Sequence, residues 1–240
     1  GSTHIDLPFM PCDEDFVLSS TGALSLEKLP KKVAIVGGGY IGLELGCALT
    51  KLGTEVTVVE GMDSILGIMD KEIRRPLEIW LKKNKVTVHT NSLARGSKIK
   101  GKGASKKVEL TFEKDSEEHK ITVDKILVTV GRSPNSKGWG LENMGIRMDT
   151  SGRFIRIDRQ CRTSAPGVYA IGDVAGEPML AHKASSQGEM VAEIISGEKR
   201  EFDKVAIPAI VFTEPEIVSV GLTPDEAKEK GEEIIIGKFP

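Results

Sequence analysis

The sequence predicts an α/β protein built on a doubly wound parallel sheet with an antiparallel meander set into it. Three observations carry that reading. Short continuous apolar runs end at glycine, as in Val33-Ala34-Ile35-Val36-Gly37 and in Ile126 to Val130 before Gly131, the pattern of strands buried on both faces. Segments of helical period separate the first such runs. Between Leu93 and Val123 the period changes to two, with Val108, Leu110 and Phe112 alternating with Glu109, Thr111 and Glu113, as half-exposed antiparallel strands require. Together these give the Rossmann-like arrangement.

Element by element, Gly1 to Lys28 is expected to be irregular, with Pro8 and Pro11 and no sustained period. The first strand is Val33 to Val36. The helix after it is expected to turn Ile41, Leu45, Ala48, Leu49 and Leu52 inward and to stop at Gly53, a favoured C-terminal residue. Glu55 to Val59 is the second strand. A helix over Asp70 to Lys83 is N-capped by Asp70 and turns Ile73, Leu77, Trp80 and Leu81 inward. Val86 to Val88 is the third strand, the meander follows, and Lys125 to Val130 returns to the parallel sheet. Beyond Pro134, Phe154 to Ile157 and Val168 to Ile171 are strand-like, and Lys183 to Ile195 is helical with Ala184, Met190, Val191, Ile194 and Ile195 apolar. Ile207 to Phe212 and Ile217 to Val220 are strand-like. Thr223-Pro224-Asp225-Glu226 opens a short helix through an N-cap, a proline and an acidic first turn.

Composition narrows the function. The chain has 240 residues, 39% hydrophobic and 28% charged, with a formal net charge of -2. That is an ordinary globular composition with no electrostatic reason to expect a nucleic acid or an anionic membrane as partner. The lysines from Lys98 to Lys107 read as a solvated hairpin tip. Cys12, Cys47 and Cys161 form no paired or zinc-type spacing, which fits small packing residues in a reducing compartment. No stretch approaches the ~20 apolar residues of a membrane span, and the first thirty residues do not read as a signal peptide. Neither Gly1-Ser2-Thr3 nor Phe239-Pro240 resembles a natural domain edge, so an excised piece is expected.

The strongest motif is Gly37-Gly38-Gly39-Tyr40-Ile41-Gly42, a G-x-G-x-x-G between a buried strand and an amphipathic helix. Gly37 makes the tight turn, Gly39 admits a pyrophosphate to the backbone, and Gly42 lets the helix pack closely. Unpaired N–H groups and the macrodipole at the helix start favour the diphosphate. Glu60 ends the second strand, eighteen residues beyond Gly42, where a carboxylate accepts from both adenosine ribose hydroxyls and repels a 2′-phosphate. Gly61, Met62 and Asp63 follow, with no arginine among them. NAD(H) is therefore favoured over NADP(H).

Val33 to Glu44 resembles the NAD fingerprint of the pyridine nucleotide–disulfide oxidoreductases. Ser19 to Leu24, Thr129 to Asn135 and Val168 to Asp173 fit the same family, and Asp173 to Ala184 resembles its dihydrolipoamide dehydrogenase branch. That resemblance divides the chain into a tail of an FAD domain or linker (1–27), an NAD-binding domain (28–148), a central FAD-contacting region (149–203) and the start of an α+β dimer-interface domain (204–240). It implies that Gly37, Gly38, Gly39, Tyr40, Ile41, Gly42, Leu43 and Glu44 line the path of NAD, with Glu60 on the ribose. Ala94 and Gly131, with Arg132 beside it, fall at strand ends near adenine and nicotinamide. Asp173 faces the ribityl chain of FAD, and Met179, Leu180, Ala181 and His182 run beside its ring, where the start of the following helix favours negative charge. In the full-length parent Glu44 would meet a lysine near the flavin and Tyr40 would cover the flavin's nicotinamide side, both partners coming from segments absent from this sequence.

The resemblance also implies a homodimeric parent in a 2-oxo acid dehydrogenase complex, in bacterial cytoplasm or mitochondrial matrix. In it dihydrolipoamide reduces a disulfide, the thiols reduce FAD, and FAD passes hydride to NAD. The cysteine pair and the His-Glu acid–base pair that relay needs are not in this sequence; His4, His89, His119 and His182 stand outside the HPxxxE context. No metal site is expected. An NAD(H)-binding module without chemistry, another disulfide reductase, and a docking piece of the complex are the competing readings. A flavin-edge segment favours the oxidoreductase over the first, and the short interface segment disfavours the last.

Overall fold

A computed structural model describes residues 1–202 and 206–239; the boundary expected at 203/204 and the terminal Pro240 lie outside the described residues. In chain order the elements are β1 (Ser2–His4), β2 (Val17–Leu18), α1 (Ser20–Leu24), β3 (Lys32–Val36), α2 (Tyr40–Lys51), β4 (Glu55–Val59), α3 (Lys71–Lys83) and β5 (Thr87–His89). The meander β6 (Ser92–Lys100), β7 (Lys107–Lys114) and β8 (Glu117–Val123) leads to β9 (Lys125–Val128) and β10 (Arg132–Pro134). Then come α4 (Ala181–Ile195), β11 (Ala209–Val211), β12 (Ile217–Ser219) and α5 (Pro224–Glu229). Two compact units result: His4–Gly131 with the residues from Ile210 onward, and Gly1–Thr3 with Arg132–Ala209.

The first unit holds a parallel sheet in the order β2-β9-β3-β4-β5 and an antiparallel sheet β6-β7-β8. The register pairs Ala34 with Thr57 and Ile126, and Ile35 with Val58 and Leu127. Alternate residues therefore line opposite faces. On one face Ala34, Val36, Val59, Ile126 and Val128 pack against Val108, Leu110, Phe112 and Val123 of the meander, with Met10 and Val17 completing the cluster. The meander is thus a cover for the sheet, and its period of two reflects one buried and one wet face. On the other face Ile35 lies beneath α2, where Cβ atoms built at Gly42 and Gly46 would come within 2.9 Å of its side chain.

That contact corrects one expectation. The residues of α2 that are buried are Gly42, Leu43, Gly46 and Cys47; Ala48 is exposed and Leu52 is 67% exposed. Two glycines lower the helix onto the sheet, so the face chosen is the one that packs closest rather than the one richest in aliphatic carbon. α3 keeps to expectation, with Asp70 accepting from Glu72 N at 2.7 Å and Leu77 and Leu81 buried. Within the segment expected to be irregular, β2 adds an edge strand beside β9, and Ser19 caps the five-residue α1 by accepting from Thr21 N and Gly22 N. Both elements are too short to show a period.

The second unit is less regular. The strand-like runs Phe154 to Ile157 and Val168 to Ile171 contribute only the single bridges Met148–Ile155 and Arg162–Tyr169. Side chains compete for the backbone here: Asp149 Oδ1 accepts from Arg153 N and Phe154 N, and Asp158 Oδ1 from Gln160 N and Arg162 N. α4 buries Met190, Val191 and Ile194 against Cys161, while Ile195 is 67% exposed. β11 and β12 fall inside the expected strand-like runs, and Thr223 and Glu226 close a reciprocal capping box on α5. No cysteine is disulfide-bonded among the described residues, and none of the helices there is long and apolar enough to cross a membrane.

Two stability effects follow. A Cβ at Gly42 would stand 2.4 Å from Gly37 O and 2.5 Å from Thr129 Oγ1, whereas one at Gly46 crowds the side-chain end of Ile35 at 2.9 Å and meets Val56 Cγ1 at an ordinary 3.7 Å. Gly42→Ala should therefore cost more than Gly46→Ala, with overpacking of about 1–3 kcal/mol at position 42, read by denaturant unfolding of both variants. Asp124 offers a pH test. Burial opposes its charge, but Lys32 N donating at 2.8 Å and Lys107 Nζ at 3.3 Å outweigh it and hold the carboxyl below its ordinary value. A lowered folded pKa stabilises above the unfolded value, so Asp124→Ala should cost about 1–2 kcal/mol at neutral pH. The deficit relative to the parent should shrink as the pH falls below about 4, measured as unfolding free energy against pH.

Candidate nucleotide-binding site

The glycine turn lies at the carboxyl end of β3, where doubly wound sheets place their ligands. Gly37 has φ +105°, and a Cβ there would stand 2.5 Å from Thr129 O. Both facts demand glycine. Gly37 N donates to Val59 O at 2.9 Å, tying the turn to β4. Gly39 follows as the N-cap of α2, with extended backbone (φ -78°, ψ -179°) and nothing within 4 Å of where its Cβ would be. The start of α2 is thus approached over bare backbone, with no side-chain cap and no acidic residue in its first turn. Such an end suits an anion.

Glu60 reaches this turn from the next strand end. Its Oε2 accepts from Gly38 N at 2.5 Å and its Oε1 from Met62 N at 2.7 Å. A carboxylate has about four acceptor positions, so acceptor capacity remains for two hydroxyls. The loop after Glu60 folds over Gly38: Leu66 N donates to Gly38 O at 2.9 Å, and Ile65 Cγ2 would lie 2.8 Å from a Cβ at Gly38. Arg74 holds that loop from α3, with Nη1 donating to Ser64 Oγ at 2.9 Å and to Ile65 O at 3.4 Å.

Thr129 was not expected at the site, yet it braces the turn. Its N–H donates to Val36 O at 2.8 Å, and its buried hydroxyl lies 3.2 Å from Val36 O and 3.0 Å from Gly37 O. A single polar residue in the apolar run before Gly131 was the available signal. Gly131 ends the same strand path at φ +129°, its carbonyl accepting from Ile5 N at 3.1 Å. Ala94 stands half-buried at the bulge of β6, against the core beneath the meander.

Not every residue of the fingerprint faces the turn. Leu43 is 1% exposed, in the core, and its N–H donates to Gly39 O, so it serves the packing of α2 rather than a ligand. Glu44 accepts from Phe212 N at 2.9 Å through Oε1. Tyr40 and Ile41 are half-buried in the first turn.

The remaining expected residues belong to the second unit. Asp173 sits in a 3-10 turn, Gly172–Ala175, and its Oδ2 accepts from Ser2 Oγ at 2.5 Å. Arg132 Nε is 2.7 Å from the same hydroxyl and Nη2 is 2.7 Å from Ser2 O, so Ser2 joins Arg132 to Asp173. Gly172, at φ +71°, donates its N–H to the buried Gln187 Oε1 at 2.8 Å, which fastens this turn to α4. Gln187 was not anticipated, because a glutamine on a helix carries no signal of a partner fifteen residues earlier. Leu180 is the N-cap of α4, Ala181 and His182 begin it exposed, and His182 Nε2 contacts Pro208 O at 2.9 Å. Met179 precedes them half-buried.

Residues 2–188 match the family model for pyridine nucleotide-disulphide oxidoreductases, and residues 207–240 match that family's dimerisation domain. The chain is 46% identical over 240 residues to a dihydrolipoyl dehydrogenase of Pseudomonas aeruginosa and 47% identical over 241 residues to one of Bacillus subtilis. Each match covers 100% of this chain and 50% of the relative. Among solved structures, LpdA of Mycobacterium tuberculosis superposes with a TM-score of 0.83 at 31% identity, over 96% of this chain and 49% of that one. The flavoprotein disulfide reductase RclA of Escherichia coli superposes with a TM-score of 0.81 at 28% identity, over 96% and 52%. The chain thus spans about half the length of the curated relatives it matches, and over that span it belongs to the pyridine nucleotide-disulphide oxidoreductase family.

Proposed function

We propose that this chain is the NAD-binding part of an FAD-dependent dihydrolipoamide dehydrogenase, a homodimeric enzyme serving a 2-oxo acid dehydrogenase complex in bacterial cytoplasm or mitochondrial matrix. One observation carries the nucleotide reading: the Glu60 carboxylate, hydrogen-bonded to Gly38 N at 2.5 Å, stands beside the uncapped start of α2. In this reading residues 28–148 bind NAD, 149–203 contact FAD, 204–240 begin the interface domain and 1–27 lead in from the FAD domain.

The residues present fit NAD and the ribityl and ring portions of FAD; the domain that would grip the adenosine diphosphate end of FAD is not in this sequence, so this chain alone is expected to bind FAD weakly or not at all. Gly39 leaves open space over the helix start, where the diphosphate of NAD would rest. Glu60 would take the ribose hydroxyls while keeping its bonds to the turn, and its charge would oppose a 2′-phosphate. The strand ends at Ala94 and Gly131 would border adenine and nicotinamide, with Arg132 following. For FAD, Asp173 would accept from the ribityl chain, held by Ser2 and Arg132. The start of α4, from Met179 through His182, would present backbone donors and its positive dipole end to the ring. FAD, when bound, supplies the two-electron chemistry that links thiols to NAD; the chain's own residues position the two groups. Identity of 46% and 47% to dihydrolipoyl dehydrogenases supports this branch of the family.

Titration of the chain with NADH should show saturable binding, with NADPH weaker by about tenfold or more, equivalent to ~1.4 kcal/mol. Equal binding of the two would remove Glu60 as the selecting group. Glu60→Ala should weaken NADH by about 1.5–3 kcal/mol, since turn and ribose share one acceptor. Dihydrolipoamide should give no NADH with this chain alone, because Cys12, Cys47 and Cys161 include no redox pair; lipoamide-dependent absorbance at the NADH band is the check.

A further inference from the structure

Away from the glycine turn, the lead-in segment of the first unit gathers metal-ligating side chains of three kinds. A ligand nitrogen of His4, Cys12 Sγ and a carboxylate oxygen of Glu14 all lie within 4.8 Å of one another. Asp6 adjoins them: its Oδ1 is 3.6 Å from His4 Nε2 and accepts from Cys12 N at 3.0 Å.

The backbone that carries these groups is held in place. Met10, 1% exposed, anchors the segment in the core beneath the meander, with Cys12 packed against that cluster. Ile5 N donates to Gly131 O at 3.1 Å, and Asp13 N and Glu14 N both donate to Val17 O at 3.0 Å. Asp13 Oδ1 accepts from three successive amides, those of Asp15, Phe16 and Val17. Glu14 itself stands at φ +57°, a conformation uncommon outside glycine, and its Oε2 accepts from Ser19 N at 3.2 Å. That bond holds the Glu14 carboxylate in place.

We propose that His4, Cys12 and Glu14 form a binding site for a divalent cation of the zinc class. Imidazole, thiolate and carboxylate on one centre suit zinc, or cobalt in its place, and not the all-oxygen preference of magnesium or calcium. Donors around a tetrahedral zinc stand about 3.3–3.7 Å apart at bond lengths near 2.0–2.3 Å, so the three close in by side-chain rotation, with the backbone unmoved. The thiol proton leaves to solvent as sulfur bonds the ion. Asp6 either fills the fourth position or orients His4, the role a carboxylate takes behind a metal-bound imidazole. The ion would clip the lead-in segment across the base of β2.

Cobalt(II) added to the metal-free chain tests this. The expected result is saturable binding with a sulfur-to-cobalt band in the near ultraviolet and tetrahedral visible bands, displaced by zinc. Cys12→Ser should abolish the sulfur band, His4→Gln and Glu14→Gln should weaken binding, and Asp6→Asn should weaken it by about tenfold. Circular dichroism and NADH titration of each variant report whether it has folded. If Cys12→Ser does not fold, alkylation of the parent chain decides: zinc should protect Cys12 from iodoacetamide, with the sites located by mass spectrometry. No saturable cobalt binding, a sulfur band that survives in Cys12→Ser, or alkylation of Cys12 unaffected by zinc would each overturn the proposal.

Discussion

The fold of the first unit depends on how closely α2 can approach β3 and β9. Gly42 lies over Gly37 O and Thr129 Oγ1 at distances no side chain would allow, and Gly37 itself leaves no room for a Cβ beside Thr129 O. Because the helix comes down at these two positions, its first turn points at the ends of three neighbouring parallel strands. The glycine turn is thus set by steric contact rather than by any single strong bond. Thr129 then ties the end of β9 to β3 where β3 enters the turn, and buried valines and isoleucines pack beneath it. Backbone donors are aimed into open space because everything behind them is packed.

Much of this was legible in the sequence, for physical reasons. A strand covered on both faces has no use for polar residues, so Val33 to Val36 and Ile126 to Val128 declare themselves. The meander announces itself by alternation because the sheet covers one of its faces and water the other. What period could not convey was closeness of approach. The aliphatic stripe Ile41-Leu45-Ala48-Leu52 outweighs Gly42-Leu43-Gly46-Cys47 on any hydrophobic scale, yet the glycine face is buried. Dispersion contacts reward short distances, and small residues make them possible.

The second unit shows a different limit. Its aspartates bind nearby amides, and those local bonds displace the ladders that the β-rich runs around Ile155 and Tyr169 would otherwise form. Beside its apolar clusters, some of its tertiary ties are single polar contacts, Gly172 with Gln187 and Arg132 with Asp173 through Ser2. Such ties leave no pattern in the sequence. The family motif identified Asp173 and Arg132 without indicating that a serine from the other end of the chain would join them.

Glu60, proposed above to take the ribose, is also part of the architecture. Its carboxylate is at once the group that would choose between nucleotides and the acceptor that completes the hydrogen bonding of Gly38 and Met62. A lineage drifting toward the phosphorylated cofactor could not simply exchange this residue, since each step away from the carboxylate would also loosen the turn beneath the ligand. A cofactor preference carried by this carboxylate would in this sense be entrenched, because selection on folding would protect it even where selection on catalysis is relaxed.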